Sequence, residues 1–593
     1  MDTISSSSPP LNISLIRTIK NPKPKFTINS SFNPFHPISK LIPRKISVQN
    51  LTAENETTTQ TKRTNQSLHE IIFKPLDDFI FRFIKSSTLP PFFDPKHVLS
   101  GNFSPVDELP PTACEVVEGS LPPCLNGGAY IQNSPNPQFM PHGPYHVVDG
   151  DGMLHSIKIS QGKATFCSRY ITTYKYNIER VLGYPVFPNL FAMFNSRISA
   201  YTTLLNFARV ITGQINPLIH GLGTANTSLS LIGGKLFALC EYDLPYGIEM
   251  KSDGDDLITI GRHDFHASKK ILMNNMTAHP KIDSQTGEVF AFKYHVIPPF
   301  LTFFRIDGNG RKQKDVPITI KRASVLHDFA VSKNYAIFPD TQIAINPLEV
   351  TRCGKVMTVD LDKTPSLGVI ERYAEDEREM WWIDVPGLNI LHVVNAWEED
   401  DGGKIVILAS NVLSVEHTLD RMDLNHFSME KIMIDVEERK VVNRVPVSTK
   451  SLDFGGINPE YAGKKNRYVY AAQIETMPKI LGVVKIDLSL LSAGGDGGGG
   501  DCTVASRSYG PGCYGSEPLF VPREPSNQGA TTEEDDGYLL SYVHNENTQE
   551  SLFVVMDAKS PTLEIVASVK LPRRVPYGFH SIFVKQSDLR RPL

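Results

Sequence analysis

The sequence predicts an all-β fold of the sandwich, barrel or propeller type. From about residue 101 onwards, short apolar segments recur between turn residues, among them GEVFAFKYH, NYAIFPD, GKIVILAS and SLFVVMDA. Such segments, rich in β-branched and aromatic residues, are typical of antiparallel strands. The segment LSLIGGKLFALCE predicts a hairpin that turns at Gly233–Gly234, because a Gly pair favours primed turns. No clean internal repeat is visible, so the strands alone do not distinguish between the three architectures.

Residues 179–223 interrupt the strand pattern. They are apolar and lack the alternation of strands, and we expect helices that cap one face of the β unit.

The first fifty residues differ from the rest in composition. Residues 1–50 contain many Lys and Arg residues but a single acid, Asp2, and they include the run Ser5–Ser8. This composition predicts a disordered plastid transit peptide, and an untargeted tail is the alternative. The segment lacks the apolar core of a secretory signal.

Residues 51–100 are predicted to form a linker and an amphipathic helical extension. The linker is the polar stretch 51–66, and Ser67 then begins a capping box with Glu70. Apolar side chains follow at helical spacing, and Pro75 is expected to kink or split the helix. Two interpretations of the apolar face stay open: it packs on the protein's own core, or it lies in a lipid surface.

Composition excludes several classes of protein. The chain has 593 residues, is 40% hydrophobic and carries a formal net charge of −4, which gives no reason to expect a nucleic-acid partner. The seven cysteines contain no CxxC pair and are interpreted as reduced thiols. No apolar run is long enough for a membrane-spanning helix.

Four histidines carry the most distinctive sequence contexts. They are far apart in the chain and form no HxH or HxxxH motif, so a shared site requires a fold that brings distant strand ends together. The four are His279 in TAHPK, His327 in VLHDFAVS, His392 in LHVVNAWEED and His580 in PYGFHSIFV.

The contexts of these histidines resemble the carotenoid cleavage oxygenase family. The resemblance covers roughly residues 100–593 and includes the phrases LHDFAVSKNYAIFPD, NAWEEDDG, GGINPEYAGKKNRYVYA and YGSEPLFVPRE, in family order. The segment CTVASRSYGPGCYG at 502–515 is most similar to the plastid type-4 subgroup. The resemblance implies that residues 101–593 form a seven-bladed β-propeller, including a helical cap near 179–223.

The resemblance also implies a metal site. His279, His327, His392 and His580 would bind one Fe(II) per chain, leaving positions open for the co-substrate dioxygen. The same nitrogen ligands also suit zinc, which cannot transfer electrons to oxygen. Acids would hold the rings of His327, His392 and His580 in place, since metal-bound histidines usually donate their second N–H to a carboxylate. The matching acids are Glu241, Asp453 and Glu517, and Asp453 departs from the family's usual glutamate.

The implied activity is oxidative cleavage of a conjugated C=C bond in a carotenoid or apocarotenoid. Type-4 relatives typically cut at the 9,10 (9′,10′) bonds, giving C13 ketones such as β-ionone and an apocarotenal. The alternatives are 9-cis-epoxycarotenoid cleavage on the abscisic acid route and a non-catalytic carotenoid-binding plastoglobule protein. Isomerohydrolase chemistry on retinoid esters is disfavoured by the plastid-like leader. The expected location is a chloroplast or other plastid, with peripheral contact to thylakoid or plastoglobule surfaces.

Overall fold

The computed structural model describes residues 69–83, 89–192, 197–251, 255–265, 274–295, 297–345, 357–491, 500–523 and 533–589. All of them belong to the second of two parts into which the chain divides, Thr64–Leu593. The predicted transit peptide, the linker and the Ser67 end of the predicted capping box lie outside the described residues.

Four-stranded antiparallel sheets follow one another along the chain, as the recurring apolar segments predict. We call each four-stranded unit a blade and number the blades in chain order; blades 6, 7 and 1 pair with one another in a single 14-stranded sheet. Blade 1 contains β1 (Leu109–Gly119), β2 (Gly128–Pro135), β3 (Gly152–Ser160) and β4 (Lys163–Tyr170), and blade 2 contains β5 (Ser228–Ile232), β6 (Lys235–Leu239), β7 (Tyr246–Met250) and β8 (Leu257–Arg262). Blade 3 contains β9 (Lys281–Ile282), β10 (Val289–Tyr294), β11 (Leu301–Ile306) and β12 (Val316–Ile318). Blade 4 contains β13 (Ala330–Val331), β14 (Tyr335–Asp340), β17 (Ser366–Glu371) and β18 (Trp381–Asp384), with the hairpin β15 (Ile343–Ile345) and β16 (Met357–Val359) inserted between β14 and β17.

Three further blades and a last strand complete the described part of the chain. Blade 5 contains β19 (Ile390–Glu399), β20 (Lys404–Val412), β21 (Phe427–Asp435) and β22 (Lys440–Pro446). Blade 6 contains β23 (Leu452–Gly456), β24 (Tyr468–Thr476), β25 (Lys479–Asp487) and β26 (Thr503–Ser508), and β27 (Cys513–Gly515) lies between β25 and β29. Blade 7 contains β28 (Leu519–Pro522), β29 (Gly537–Asn545), β30 (Glu550–Asp557) and β31 (Ile565–Lys570), and β32 (Ser581–Lys585) is the last strand.

The predicted hairpin at Gly233–Gly234 is confirmed. It joins β5 to β6, with φ values of 58° and 76° at the two glycines. Such left-handed backbone is costly for a residue with a Cβ and free for glycine, so the Gly pair sets the register of this hairpin.

Strands near the beginning and the end of the propeller sequence pair with each other and close the circle of blades. β31 of blade 7 pairs with β1 of blade 1. β32 pairs with β2, from Lys585 opposite Gly128 to Ser581 opposite Gln132. Blade 1 is therefore built from both ends of the propeller sequence, which removes an open edge from the sheet.

The core consists of separate apolar clusters, one between each pair of neighbouring blades. Aliphatic and aromatic side chains from facing sheets interdigitate there, as alternating strands require. Going round from blades 1 and 2, the clusters are represented by Leu154 with Leu236, Phe237 with Phe304, Phe303 with Phe338, Leu367 with Ile407, Leu408 with Val484, Val483 with Leu539, and Phe553 with Phe166. Seven blades and seven clusters make a closed seven-bladed β-propeller.

Short helices lie outside the blades. A π-helical turn, His69–Phe73, precedes α1 (Lys74–Phe83), so the predicted helix is split just before Pro75. The predicted helical interruption is also confirmed, although it begins five residues earlier than predicted. The other helices are α2 (Pro95–Val98), α3 (Tyr174–Leu182), α4 (Arg197–Ile211) and α5 (Pro217–His220).

One face of α1 packs on the protein itself. Asp77 forms a buried ion pair with Arg209 of α4, and it also accepts a hydrogen bond of 2.9 Å from the hydroxyl of Tyr184. Phe73 is buried with its ring 5.1 Å from the Arg209 guanidinium. The first interpretation of the apolar helix thus holds for this face, whereas other apolar side chains of the same segment stay exposed.

The described helices are all too short or too polar to cross a membrane. The six described cysteines carry free thiols, in agreement with the sequence.

Candidate metal centre

The structure brings the four predicted histidines together. The Nε2 atom of His327 lies 3.1 Å from Nε2 of His279 and 3.1 Å from Nε2 of His392. The ligand nitrogens of these three histidines lie within 4.8 Å of one another, close enough to hold one metal ion. The His580 ring lies beside them, with its centroid 4.7 Å from that of His279 and 5.2 Å from that of His392.

Each blade contributes one residue to this group or to the acids around it. Six of these residues lie at or beside an edge strand of their blade, whereas Glu241 follows the second strand of its blade, and all are far apart in sequence. His580 precedes β32 of blade 1, Glu241 follows β6 of blade 2, His279 precedes β9 of blade 3, His327 precedes β13 of blade 4, His392 lies in β19 of blade 5, Asp453 lies in β23 of blade 6, and Glu517 precedes β28 of blade 7.

Glu241 holds the ring of His327. One carboxylate oxygen contacts Nδ1 of His327, and the other accepts a hydrogen bond of 3.4 Å from the hydroxyl of Tyr294. Burial alone would lower the pKa of His327, but the charge of Glu241 and its hydrogen bond raise that pKa above its usual value. The site therefore favours positive charge beside Glu241.

Asp453 holds the ring of His392 directly. Nδ1 of His392 lies 2.9 Å and 3.1 Å from the two carboxylate oxygens. Burial opposes ionisation of Asp453, yet the interaction with His392 lowers the pKa of the carboxyl group below its usual value. The aspartate, one methylene shorter than the glutamate that the resemblance implies, thus contacts His392 without a bridging group.

The residue after Asp453 has strained backbone. Phe454 has φ of 49°, a left-handed conformation that costs a bulky residue about 1–2 kcal/mol. Its ring lies 5.0 Å from the ring of His392 and 5.5 Å from that of His580. The strain places an aromatic face against two of the histidines, and no sequence pattern indicated it.

Glu517 holds the segment that carries His580. One of its oxygens lies 3.2 Å from Nδ1 of His580, and the other accepts a hydrogen bond of 3.0 Å from the Ser581 amide. Both the ring and the backbone that follows it are thereby fixed.

His279 differs from the other three histidines. No carboxylate contact to its ring is found among the described residues. Burial first, and then the neighbouring imidazoles, lower the pKa of His279 well below its usual value. Its ring is therefore neutral at physiological pH and able to bind a metal ion.

The donor set fits a divalent metal ion. When Nδ1 donates to a carboxylate, the Nε2 atom of a neutral His327 or His392 carries a lone pair, and the two Nε2 atoms face each other where both could bind one cation. Imidazole nitrogens bound to one ion at about 2.1 Å lie about 3.0–3.4 Å apart, depending on the bond angle. The observed separations of 3.1 Å fall within that interval.

An apolar cavity leads to the histidines. It is open to solvent at one side, and His327, His392 and His580 lie at its wall. Most of the remaining wall is aliphatic or aromatic, including Phe191, Leu391, Val412, Met422, Phe454 and Phe579. A long hydrophobic molecule would be bound there by burial of its surface.

Four aromatic residues of blades 3 and 4 do not border this cavity. Phe303, Phe304 and Trp381 lie in the clusters between blades, and Trp382 packs against one of them.

Comparison with known proteins gives a consistent assignment. Residues 102–585 match the family model described as retinal pigment epithelial membrane protein. A relative named probable carotenoid cleavage dioxygenase 4, chloroplastic, from Arabidopsis thaliana is 55% identical, over 89% of this chain and 87% of that one. A chloroplastic 9-cis-epoxycarotenoid dioxygenase from Oryza sativa subsp. japonica is 50% identical, over 87% and 80% of the two chains.

Solved structures share the fold. A lignostilbene dioxygenase from Pseudomonas brassicacearum superposes with a TM-score of 0.68 at 21% identity, over 84% of this chain and all of that one. A mutant of the Synechocystis apocarotenoid oxygenase gives a TM-score of 0.66 at 24% identity, with the same coverage. With its propeller, its histidine group and these matches, the chain belongs to the carotenoid oxygenase family, which includes the retinal pigment epithelial membrane protein.

Proposed function

We propose that this protein is a non-haem Fe(II)-dependent dioxygenase that cleaves a carotenoid or apocarotenoid at a 9,10 (9′,10′) double bond. The products would be a C13 ketone such as β-ionone and an apocarotenal. The observation that carries the proposal is a group of converging imidazoles, of which those of His327, His392 and His580 lie at the wall of an apolar cavity. The names of the Arabidopsis and rice relatives support the substrate class.

His279, His327, His392 and His580 would hold the iron. When bound, iron supplies the electrons that activate dioxygen, which the protein's own side chains cannot do. Glu241, Asp453 and Glu517 keep three of the rings in the tautomer that directs Nε2 inwards.

The protein's own contribution to cleavage is mainly positional. The cavity removes the polyene from water and limits which double bond lies beside the histidines. Phe454 and Phe579 border this position and restrict how far the chain of the substrate can advance. Cleavage by dioxygen requires no general acid or base, in agreement with the apolar wall.

Metal analysis and product identification on one purified sample test the proposal. We expect one iron per chain and, from β-carotene, a C13 ketone that is absent after chelation. A C15 aldehyde from a 9-cis-epoxycarotenoid would instead favour the alternative activity, which the 50% identical rice relative supports. Lasting retention of the intact coloured substrate by the iron-loaded protein would identify a carotenoid-binding protein without turnover.

The exposed apolar side chains of α1 and α4 support contact with a lipid surface. Leu204 is 66% exposed and Phe207 62% exposed on α4, and Ile71 and Phe79 are exposed beside α1 and on it. Apolar side chains on paired surface helices are typical of proteins that lie in a membrane interface. We place this contact at a thylakoid or plastoglobule surface.

Binding to vesicles of plastid lipid composition tests this contact. Leu204→Ser with Phe207→Ser is expected to lower the bound fraction several-fold, while cleavage of detergent-solubilised substrate stays unchanged. Leu361→Ser, which removes a side chain that is 62% exposed elsewhere, is the matched control. Equal vesicle binding by parent and double variant would refute the surface assignment.

Residues 1–50 are proposed to direct the chain to a plastid, and residues 51–100 to join this leader to the propeller of residues 101–593. The Arabidopsis and rice relatives are named as chloroplastic. Fusion of residues 1–66 to a fluorescent protein should send it into plastids, and a cytosolic signal would contradict the proposal.

A further inference from the structure

An ion pair between a partly buried lysine and a buried aspartate lies immediately behind the histidines. Lys281 follows His279 by two residues, and Asp328 follows His327 directly. Lys281 Nζ lies 2.7 Å from Asp328 Oδ1, with 25% of the lysine side chain and 2% of the aspartate side chain exposed. Lys281 borders a second cavity that is distinct from the one lined by the histidines.

The pair also reaches the segment that carries His392. Asp328 Oδ2 accepts a hydrogen bond of 2.7 Å from the Val393 amide, and Lys281 Nζ donates one of 3.3 Å to the Val393 carbonyl. Asp328 Oδ1 additionally accepts one of 2.7 Å from the Phe329 amide. Lys281 and Asp328 thus link the chain segments that follow His279, His327 and His392.

Regular strand pairing does not hold these segments. The register between β19 and β20 shifts on both sides of His392 and Val393. β9 and β13, the strands that follow His279 and His327, are two residues long. Few backbone hydrogen bonds between strands therefore fix the segments that carry these histidine rings. The ion pair supplies part of the restraint that regular strand pairing would give.

His279 gains most from this arrangement. The other three rings each contact a carboxylate, whereas His279 has none among the described residues, as stated above. Its ring is positioned through its own backbone, and Lys281 ties that backbone to Asp328 and Val393.

We infer that Lys281 and Asp328 are positioning residues that set the relative placement of His279, His327 and His392 for the metal ion. This inference rests on the proposed metal site. A buried ion pair that served stability alone would, when removed, lower stability without changing metal affinity, so the two roles are separable.

Cobalt(II) binding to the full chain is the test, measured by its visible absorption and by competition with a chelator. Lys281→Met and Asp328→Asn are expected to weaken cobalt affinity about 10–100-fold, the range observed when outer contacts of metal ligands are lost. Combining them should give little further loss, since both remove one interaction. Lys281→Arg, which keeps the cation, should bind cobalt within about threefold of the parent.

Lys485→Met is the matched control. Lys485 forms an equally close pair of 2.6 Å with Asp535, with side chains 6% and 10% exposed, away from the histidines. This variant should lose thermal stability but keep its cobalt affinity and spectrum.

The outcomes distinguish the proposed metal site from the proposed positioning role of Lys281 and Asp328. A parent protein that binds no cobalt contradicts the metal site itself. A parent that binds cobalt, together with Asp328→Asn and Lys281→Met proteins that bind it within twofold, overturns only the positioning role. Asp328→Asn preserves shape and one amide acceptor, so it decides the question if Lys281→Met yields too little folded protein.

Discussion

At the scale of single residues, Asp453 offers a direct test of how carboxylates tune the candidate metal centre. Asp453→Asn keeps the volume of the fully buried side chain but removes its charge. We expect a 10–100-fold loss of metal affinity, because a neutral amide orients the His392 ring less strongly. Isothermal titration with cobalt(II) measures it. Asp535→Asn, at a buried acid elsewhere, is the control, and parent-like affinity of Asp453→Asn would contradict the prediction.

Asp453→Glu restores the residue type familiar in the family. It should nevertheless weaken metal binding here, since the extra methylene must enter a site that is already filled. Overpacking of this kind costs about 1–3 kcal/mol of stability.

A second residue-scale prediction concerns His155, which is buried in β3 and lies 2.9 Å from the Ser168 hydroxyl. Burial, helped by the charges of Arg573 and Arg574, lowers the pKa of His155 to about 3. In the unfolded chain the His155 ring takes up a proton near pH 6.5, so the full free energy of unfolding is present above that pH. It falls as the pH decreases towards 3, by up to about 1.4 kcal/mol per pH unit.

Urea unfolding at pH 7, 6 and 5 checks the His155 prediction. His155→Gln should flatten the pH dependence relative to the parent, whereas His97→Gln, at an exposed histidine of α2, should leave it unchanged. Parallel pH profiles of parent and His155→Gln would show that another group is responsible.

The residues of the candidate site were predictable to an uneven degree. The four histidines and three acids were proposed from the family resemblance of their sequence contexts, and in the structure three of the histidine rings each contact one of these carboxylates. Lys281 and Asp328 were missed, because a lysine and an aspartate on different strands give no sequence signal until the fold joins them. Phe454 was missed because its importance lies in a backbone angle rather than in its residue type.

At the scale of elements, the contact between α1 and α4 depends on one buried ion pair. Arg209→Met leaves Asp77 buried without its partner, at a cost of about 3–5 kcal/mol. We expect faster amide hydrogen exchange in both helices with unchanged exchange in the blades. Hydrogen exchange detected by mass spectrometry would show this.

Two further variants control the Arg209 prediction. Lys74→Met, which removes the exposed 3.9 Å contact of Lys74 with Asp78, should leave exchange unchanged. Replacing both buried partners, as Arg209→Met with Asp77→Leu, should restore much of the protection. If the double variant exchanges as fast as Arg209→Met, a buried charge is not the cause.

Elements governed by local chemistry were predicted well. The hairpin at Gly233–Gly234 follows from the turn preference of glycine, and the split before Pro75 follows from a missing backbone donor. The start of α3 at Tyr174 was missed, because Thr173, whose side chain caps this helix, lies in a polar stretch that resembles the preceding turn.

At the scale of the whole molecule, closure of the propeller makes the last strand, β32, as important for stability as a strand in the middle of the sequence. Val584 of β32 is buried against blade 1 and blade 2. Val584→Ala should lower the free energy of unfolding by about 1–2 kcal/mol, through lost burial and a cavity at the seam. Val442→Ala, on the half-exposed strand β22, should change it by less than about 0.5 kcal/mol. Chemical denaturation measures both, and equal effects would contradict a special role for the seam.

The number of blades could not be obtained from residue patterns alone. Each cluster between blades is filled by a different set of side chains, from Phe290 and Phe303 in one to Val469 and Val484 in another. Identical shape is thus achieved without repeated sequence, and only the family resemblance implied seven blades.

The exposed apolar side chains of α1 and α4 have a practical consequence for the isolated protein. In plain buffer, Leu204, Phe207 and their neighbours have no lipid to cover them, so molecules should associate through this face as concentration rises. Turbidity and a growing hydrodynamic radius in concentrated stocks would then report the face that we propose contacts lipid, rather than a failure to fold.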